Sequence, residues 1–174
     1  MPVNVSILIV SFQIRSPLGD SDEDREIASL LIQVFAGEGY TDRPNAEMMS
    51  APDELCHRGD IFLAKSGTGD LLGMAICVCP TSAACQVAET DEAELHLLAV
   101  LPKARRQGVA AALVAACEQR ASFLGYSKMV LSTQPTMLAA HRLYERVGYR
   151  RNAERDWSRA QYGKSYLVYE KLLS

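Results

Sequence analysis

The chain has 174 residues, enough for one domain with a substantial core and short for two. Apolar residues make up 48% and charged residues 22%, with a net charge of −3, which excludes a disordered acidic chain and a polybasic nucleic-acid tail. The charge is unevenly spread. Residues 1–100 carry 5 Lys and Arg against 16 Asp and Glu, a net of −11; residues 101–174 carry 13 against 5, a net of +8. Either the halves neutralise one another in the fold, or each faces a partner of opposite sign.

In chain order, residues 3–14 alternate and lack a basic leader region, so a first strand is expected there and not a signal peptide. Ser21 is positioned to cap a helix whose first turn holds Asp22, Glu23 and Asp24, favoured by the helix dipole. Ile27, Leu30, Leu31, Val34 and Phe35 form its apolar stripe. Residues 37–44 suggest a loop, and residues 46–56 a short second helix broken or started near Pro52. Strands over 61–65 and 71–79 are joined by Ser66-Gly67-Thr68-Gly69-Asp70, a hairpin signal. Residues 80–91 are small and polar, hence a loop. Then come a strand over 93–100, a helix over 109–124 ended by Gly125, a strand over 128–132, and a helix over 136–147 ended by Gly148. Two closing strands, 149–157 and 165–172, complete the order. Hairpins followed by a β-α-β unit predict an α/β fold with a mixed, mostly antiparallel central sheet flanked by helices.

No apolar run approaches the roughly 20 residues that span a bilayer, so no membrane segment is expected. The five cysteines, Cys56, Cys77, Cys79, Cys85 and Cys117, are odd in number and lack framework spacing, which points to reduced thiols and a cytoplasmic location. Cys77, Cys79, Cys85 and His96 have no usual zinc spacing, so no metal is expected; small buried thiols are the simpler role.

The most informative segment is Glu94-Leu95-His96-Leu97-Leu98-Ala99-Val100, then Leu101-Pro102-Lys103-Ala104, then Arg105-Arg106-Gln107-Gly108-Val109-Ala110-Ala111-Ala112. A buried strand enters a basic loop with one glycine, and a helix opens on small residues. The first N–H groups of a helix have no intrahelical partners and carry partial positive charge, so this arrangement suits an anion. Gly108 permits close backbone approach, and arginine can grip phosphate with two hydrogen bonds. A plain strand-to-helix turn with a solvated basic loop has the same composition. Neither G-x-x-x-x-G-K-[ST] nor G-x-G-x-x-G is present.

Arg105-Arg106-Gln107-Gly108-Val109-Ala110 resembles motif A, [RQ]-x-x-G-x-[GA], of the GNAT superfamily of N-acetyltransferases. Ala139-Ala140-His141-Arg142-Leu143-Tyr144-Glu145-Arg146-Val147-Gly148-Tyr149 resembles its A-x-x-L-Y-x-x-x-G-[FY] block. The resemblance covers essentially the full chain, 1–174 as one domain, strongest over about 93–150. It implies a GNAT-like acyl-CoA N-acyltransferase fold and acetyl-CoA as cosubstrate. By the same resemblance, main-chain groups at Leu98 and Val100 hold the pantetheine arm. Arg106, Gln107, Gly108, Val109, Ala110 and Ala111 hold the pyrophosphate, with Arg105 adding charge. The family's sheet splays between this strand and the next to admit the arm.

Acetyl transfer to an amine needs a neutral nitrogen, and freeing a lysine-like amine at pH 7 costs about 4.6 kcal/mol. Glu94 is the candidate base, at a strand position similar to that of the catalytic glutamate of several family members. His96 shares its face two residues on and can assist or replace it. Tyr144 resembles the family's tyrosine acid, which returns a proton to the departing thiolate; Leu138, Leu143 and Val147 are expected to be the buried stripe of its helix. Met137 stands where many members carry an asparagine that contacts the cofactor, which removes an amide donor there.

The resemblance thus implies an acetyl-CoA-dependent N-acetyltransferase acting on a primary amine of a small molecule or peptide, by direct attack in a ternary complex. A non-catalytic acyl-CoA-binding module of the same fold is the alternative. The acidic half suggests a cationic amine as acceptor. A nucleic-acid partner through Arg142, Arg146, Arg150, Arg151, Arg155 and Arg159 is not expected, because no aromatic stacking pattern accompanies them. A homodimer stays open.

Overall fold

The computed structural model describes residues 11–174. Of the strand expected over 3–14, residues 3–10 lie outside the described residues, and β1 is Phe12–Arg15. The helix α1, Ser21–Leu31, follows, with its stripe Ile27, Leu30, Leu31 and Val34 buried. Its cap is Asp20 and not Ser21: the Asp20 carboxylate accepts from the Asp22 and Glu23 N–H groups at 3.1 and 2.8 Å. A wider π turn, Ile32–Ala36, ends the helix. The helix expected over 46–56 is two helices, α2 (Arg43–Met49) and α3 (Pro52–Cys56). Asp42 caps the first, and Pro52, which has no N–H to continue it, starts the second.

The strands β2 (Asp60–Ser66), β3 (Leu71–Val78), β4 (Glu92–Val100) and β5 (Lys128–Thr133) follow the expected positions. The helix α4 (Val109–Phe123) carries the crossover from β4 to β5, the one parallel pairing among the described residues. After α5 (Leu138–Arg146) come β6 (Arg150–Arg151), β7 (Trp157–Arg159) and β8 (Lys164–Leu172). The strand expected over 149–157 is therefore interrupted. A short 3₁₀ turn, Ala153–Arg155, turns Arg155 inward, where it bonds both carboxylate oxygens of Glu92 at 3.0 and 2.7 Å. The main sheet runs β1-β2-β3-β4-β5-β8-β6, with β7 pairing separately with β8. It is mixed and mostly antiparallel, with helices on its faces.

Every residue of β3 is buried, because both faces of the sheet are covered. One core lies under α1 and contains Met74, Ile76 and Val78; the other lies under α4 and contains Ala75, Cys77, Leu113 and Cys117. At Gly73 the packing of β3 against β4 and α4 leaves no room for a side chain. A Cβ there would sit 2.7 Å from the Ala99 carbonyl oxygen and 3.2 Å from Leu113. Among the described residues, no helix is long and apolar enough to cross a membrane.

Candidate active site

β4 and β5 pair only over Glu92–Leu95 and Lys128–Leu131. Beyond Leu95 the strands part. Leu97 adopts φ 48°, and the register of β4 on β3 shifts between Met74 and Ile76, so β4 bulges there. The rest of β5 stays paired with β8. The result is an open cleft of about 1450 Å³ between the diverging strands, α4 and α5. That is larger than a site for a compact small molecule and suits an extended ligand with a second one beside it.

The bulge also changes which face β4 presents. Glu94 and His96 lie opposite Val78 and Ile76, on the α1 side. Leu98 and Val100 pack with the α4 core. Both pairs reach the cleft wall.

At the cleft's α4 end, Gly108 has φ 82° and Arg106 φ 60°, a left-handed pair that turns the chain from β4 into the helix. The first intrahelical bond runs from the Ala112 N–H to the Gly108 carbonyl, leaving the Val109, Ala110 and Ala111 N–H groups without intrahelical partners. No atom lies within 4 Å of where a Gly108 Cβ would be, so the space over the helix start is open to a ligand. This is a fitting cradle for the pyrophosphate of a CoA-type ligand. Leu98, Val100, Arg105, Arg106, Gly108, Val109, Ala110 and Ala111 all line the cleft. Gln107 does not; its side chain donates to the Lys103 carbonyl at 2.9 Å and braces the loop. Arg105 is also committed within the protein, bonding the Val100 carbonyl at 3.1 Å and pairing with Glu38. Arg106 is free of ion pairs among the described residues and exposed.

Glu94 is fully buried, yet its carboxylate is saturated with donors. One oxygen accepts from the Gln86, Val87 and Ala88 N–H groups at 2.9, 3.0 and 3.2 Å; the other bonds His96 Nε2 at 2.8 Å. Burial pushes its pKa up, but the bonds and charge of His96 and the loop N–H groups outweigh it and hold the carboxyl at about 2. Glu94 therefore anchors the 80–91 loop and holds the His96 ring by Nε2, leaving Nδ1 uncommitted to it.

Tyr144 lies on the cleft wall, its ring against Tyr149 and Tyr169 with centroids 5.9 and 6.1 Å apart. Burial raises its pKa, so the phenol keeps its proton. Of its helix's expected stripe, Leu143 is buried and Val147 half-buried, but Leu138 is 59% exposed, because α5 begins there and its first turn overhangs the sheet. Met137 lies at the α5 start and accepts the Thr133 hydroxyl on its sulfur at 3.6 Å. The Cys77, Cys85 and Cys117 thiols are all pushed up by burial, Cys77 to about 12, so none is a ready nucleophile. Among the described residues no group of three or more His, Cys, Asp or Glu side chains could hold a metal.

The acidic cluster on α1 does not reach this cleft. Asp20 caps the helix, and Glu23 bonds Arg15 and the Leu18 N–H. The cleft instead gathers basic residues that the sequence did not single out for it, Arg58 and Lys164, together with Arg159. Residues 58 and 159 are a hundred positions apart, and no local pattern announces that they meet.

The Acetyltransferase (GNAT) family model matches residues 26–149. No curated protein matches. Among solved structures, an acetyltransferase of the GNAT family from Staphylococcus aureus Mu50 superposes with a TM-score of 0.74 at 15% identity, covering 94% of this chain and 100% of that one. PaiA N-acetyltransferase from Thermoplasma acidophilum, in complex with coenzyme A, gives 0.72 at 12% identity over 93% and 99%. The ribosomal-protein-S18-alanine N-acetyltransferase from Escherichia coli gives 0.65 at 17% over 94% and 95%. The family model spans most of the chain, and the chain belongs to the GNAT acetyltransferase family.

Proposed function

We propose that the protein transfers the acetyl group of acetyl-CoA to a primary amine by direct attack, within residues 1–174 acting as one domain. The observation that carries this is a juxtaposition. One cleft holds the free N–H groups at the α4 start at one end, and the Glu94–His96 pair and Tyr144 on its walls. The arm of the donor lies along Leu98 and Val100, with its pyrophosphate on Arg106, Gly108, Val109, Ala110 and Ala111, while Gln107 braces the loop from behind. The coenzyme A held by the Thermoplasma relative supports the same class of donor here.

His96 takes the amine proton, and Glu94 fixes its tautomer by accepting from Nε2, which leaves the Nδ1 lone pair as the base. Glu94 is a positioning residue on this account: a carboxyl held at about 2 is a weak base at neutral pH. The neutral amine attacks the thioester carbonyl, the N–C bond forms and the C–S bond breaks. Tyr144 gives its proton to the departing thiolate and recovers, through solvent, the second proton that the attacking nitrogen sheds on becoming the amide. No acetyl-enzyme is formed: none of the five cysteines lines the cleft, and burial keeps the Cys85 thiol, beside Glu94, protonated. Free thiols at all five cysteines support a reducing, cytoplasmic setting.

The test is thiol release from acetyl-CoA across a panel of amines. His96→Gln and Tyr144→Phe should each lower kcat by about 10²-fold or more with CoA affinity retained. A protein that binds CoA but releases no thiol with any amine is the non-catalytic module instead. Full activity in Tyr144→Phe would remove that residue from the mechanism.

A further inference from the structure

We infer that the acceptor amine carries an anionic group, a carboxylate or a phosphate, which sits on Arg58, Arg159 and Lys164. This rests on the acetyl-transfer proposal above and identifies the kind of amine that site takes.

The acids of the cleft wall are Glu38, Asp42 and Glu94, and none is free for a cationic guest. Glu38 pairs with Arg105. Asp42 accepts from the Asn45 main chain and side chain, both at 2.8 Å. Glu94 is saturated as described. A polyamine would find no carboxylate to receive its second charge. Arg105 apart, the cations of the same wall are in the opposite condition. Arg58, Arg159 and Lys164 enter no ion pair among the described residues.

Arg58 is the most telling. It is half-buried, and its Nε is buried with no hydrogen-bond partner. An orphaned guanidinium donor is costly and is normally satisfied by an anion. Burial disfavours its charge, the exposed Glu54 favours it, and Arg159 repels it, so the two guanidiniums sense each other across the cleft. Arg159 and Lys164 are cross-strand partners of the β7–β8 hairpin. Lys164 Nζ donates one bond, to the Tyr40 carbonyl at 2.9 Å, and keeps two hydrogens for a ligand. Three like charges held together, none of them ion-paired and with the exposed Glu54 outside the cleft wall, form a seat for an anion.

That seat is separate from the phosphate end of the donor. Asp60, two residues after Arg58, lies opposite Cys77, which lies opposite Leu95. Leu95 is five residues along β4 from Val100, where the phosphate loop begins, or about 15 Å at strand spacing. Arg58 also connects to the catalytic pair, because its carbonyl accepts from Ser82 at 2.8 Å, within the loop that Glu94 anchors. An anionic group bound there belongs to the acceptor.

The experiment measures kcat/KM by thiol release in matched sets. 4-Aminobutyrate is compared with butylamine and 1,4-diaminobutane, and O-phosphoethanolamine with ethanolamine. A carboxylate or phosphate should raise kcat/KM at least about tenfold over its neutral counterpart, and the better of the two arms names the anion. Arg58→Gln and Arg159→Gln should narrow that ratio about tenfold through KM, with melting temperature and CoA affinity confirming that each variant is folded. If butylamine or the diamine is used as well as 4-aminobutyrate, and ethanolamine as well as its phosphate ester, the anionic seat is wrong and acetyl transfer stands. If no amine of any charge releases thiol, the acetyl-transfer proposal itself fails.

Discussion

Replacing Glu94 by glutamine tests the central pair, because the change keeps the shape and removes one acceptor. In the parent, one oxygen serves three loop N–H groups and the other serves His96 Nε2. Glutamine has one oxygen. With that oxygen left on the loop, its NH₂ faces His96 Nε2, which must then accept. The imidazole proton moves to Nδ1, and the base nitrogen is lost. The expected fall in kcat/KM is about 10²–10³-fold, the scale of a general base removed. Stability falls too. The Glu94 pKa is held at about 2 against an ordinary 4.5, so at about 1.4 kcal/mol per tenfold about 3–4 kcal/mol favours the ionised form in the folded state. A folded pKa below the unfolded one means this contribution is present above pH ~4.5 and is lost as pH falls towards 2. At pH 7 the variant should melt about 6–12 °C below the parent, and the gap should close as acid is added. Stopped assays across pH complete the test. If Glu94 were itself the base, kcat/KM would hold down to the low pH at which its carboxyl, held at about 2, takes up a proton. A parent profile flat down to pH 4, or a Glu94→Gln protein with unchanged activity and melting temperature, refutes the positioning role.

Arg155→Met should cost about 3–5 kcal/mol, because it strands Glu92, which is 2% exposed, with Lys128 at 3.2 Å as its remaining side-chain cation; calorimetry should show a fall of roughly 6–20 °C. Arg106→Ala should weaken CoA binding about tenfold at low ionic strength and much less at high salt, read by titration calorimetry at two salt concentrations. Equal loss at both salts would mean that the arginine acts through the shape of its left-handed turn and not through its charge.

The helices and strands were legible because each rests on a local signal: the α1 stripe, the hairpin glycines, the helix-ending Gly125 and Gly148. The splay was legible by resemblance alone, since nothing in Leu-His-Leu-Leu-Ala-Val marks a bulge. Plain alternation would put Glu94, His96, Leu98 and Val100 on one face. The left-handed turn at Leu97 sends the first two to the α1 side and the last two to the α4 side. The pairing of Glu94 with His96 was nonetheless predictable, because both precede the bulge. What the sequence hid was how each charge is spent. Arg105 reads as a phosphate ligand, but its partners, Glu38 and the Val100 carbonyl, are brought to it by the fold. Glu94 reads as a base until the 80–91 loop closes three N–H groups on it.

The same consideration resolves the unequal charge of the two halves. Much of it is internal neutralisation across the fold: Arg105 with Glu38, Arg120 with Asp60, Lys128 and Arg155 with Glu92. These pairs consume acids from the first hundred residues and basic groups from the rest. The α1 acids are consumed within their own half, by Arg15, Lys65 and the helix cap. The residue of this neutralisation is not spread evenly over the surface. Arg106, Arg142, Arg146, Arg159 and Lys164, joined by Arg58 from the acidic half, all line the one cleft. A cleft whose acids are engaged and whose cations, Arg105 apart, enter no ion pair among the described residues attracts anions along its length. One stretch of that field answers to the donor's phosphates at the α4 start. The other, formed by Arg58, Arg159 and Lys164 away from that helix start, is what an anionic acceptor completes.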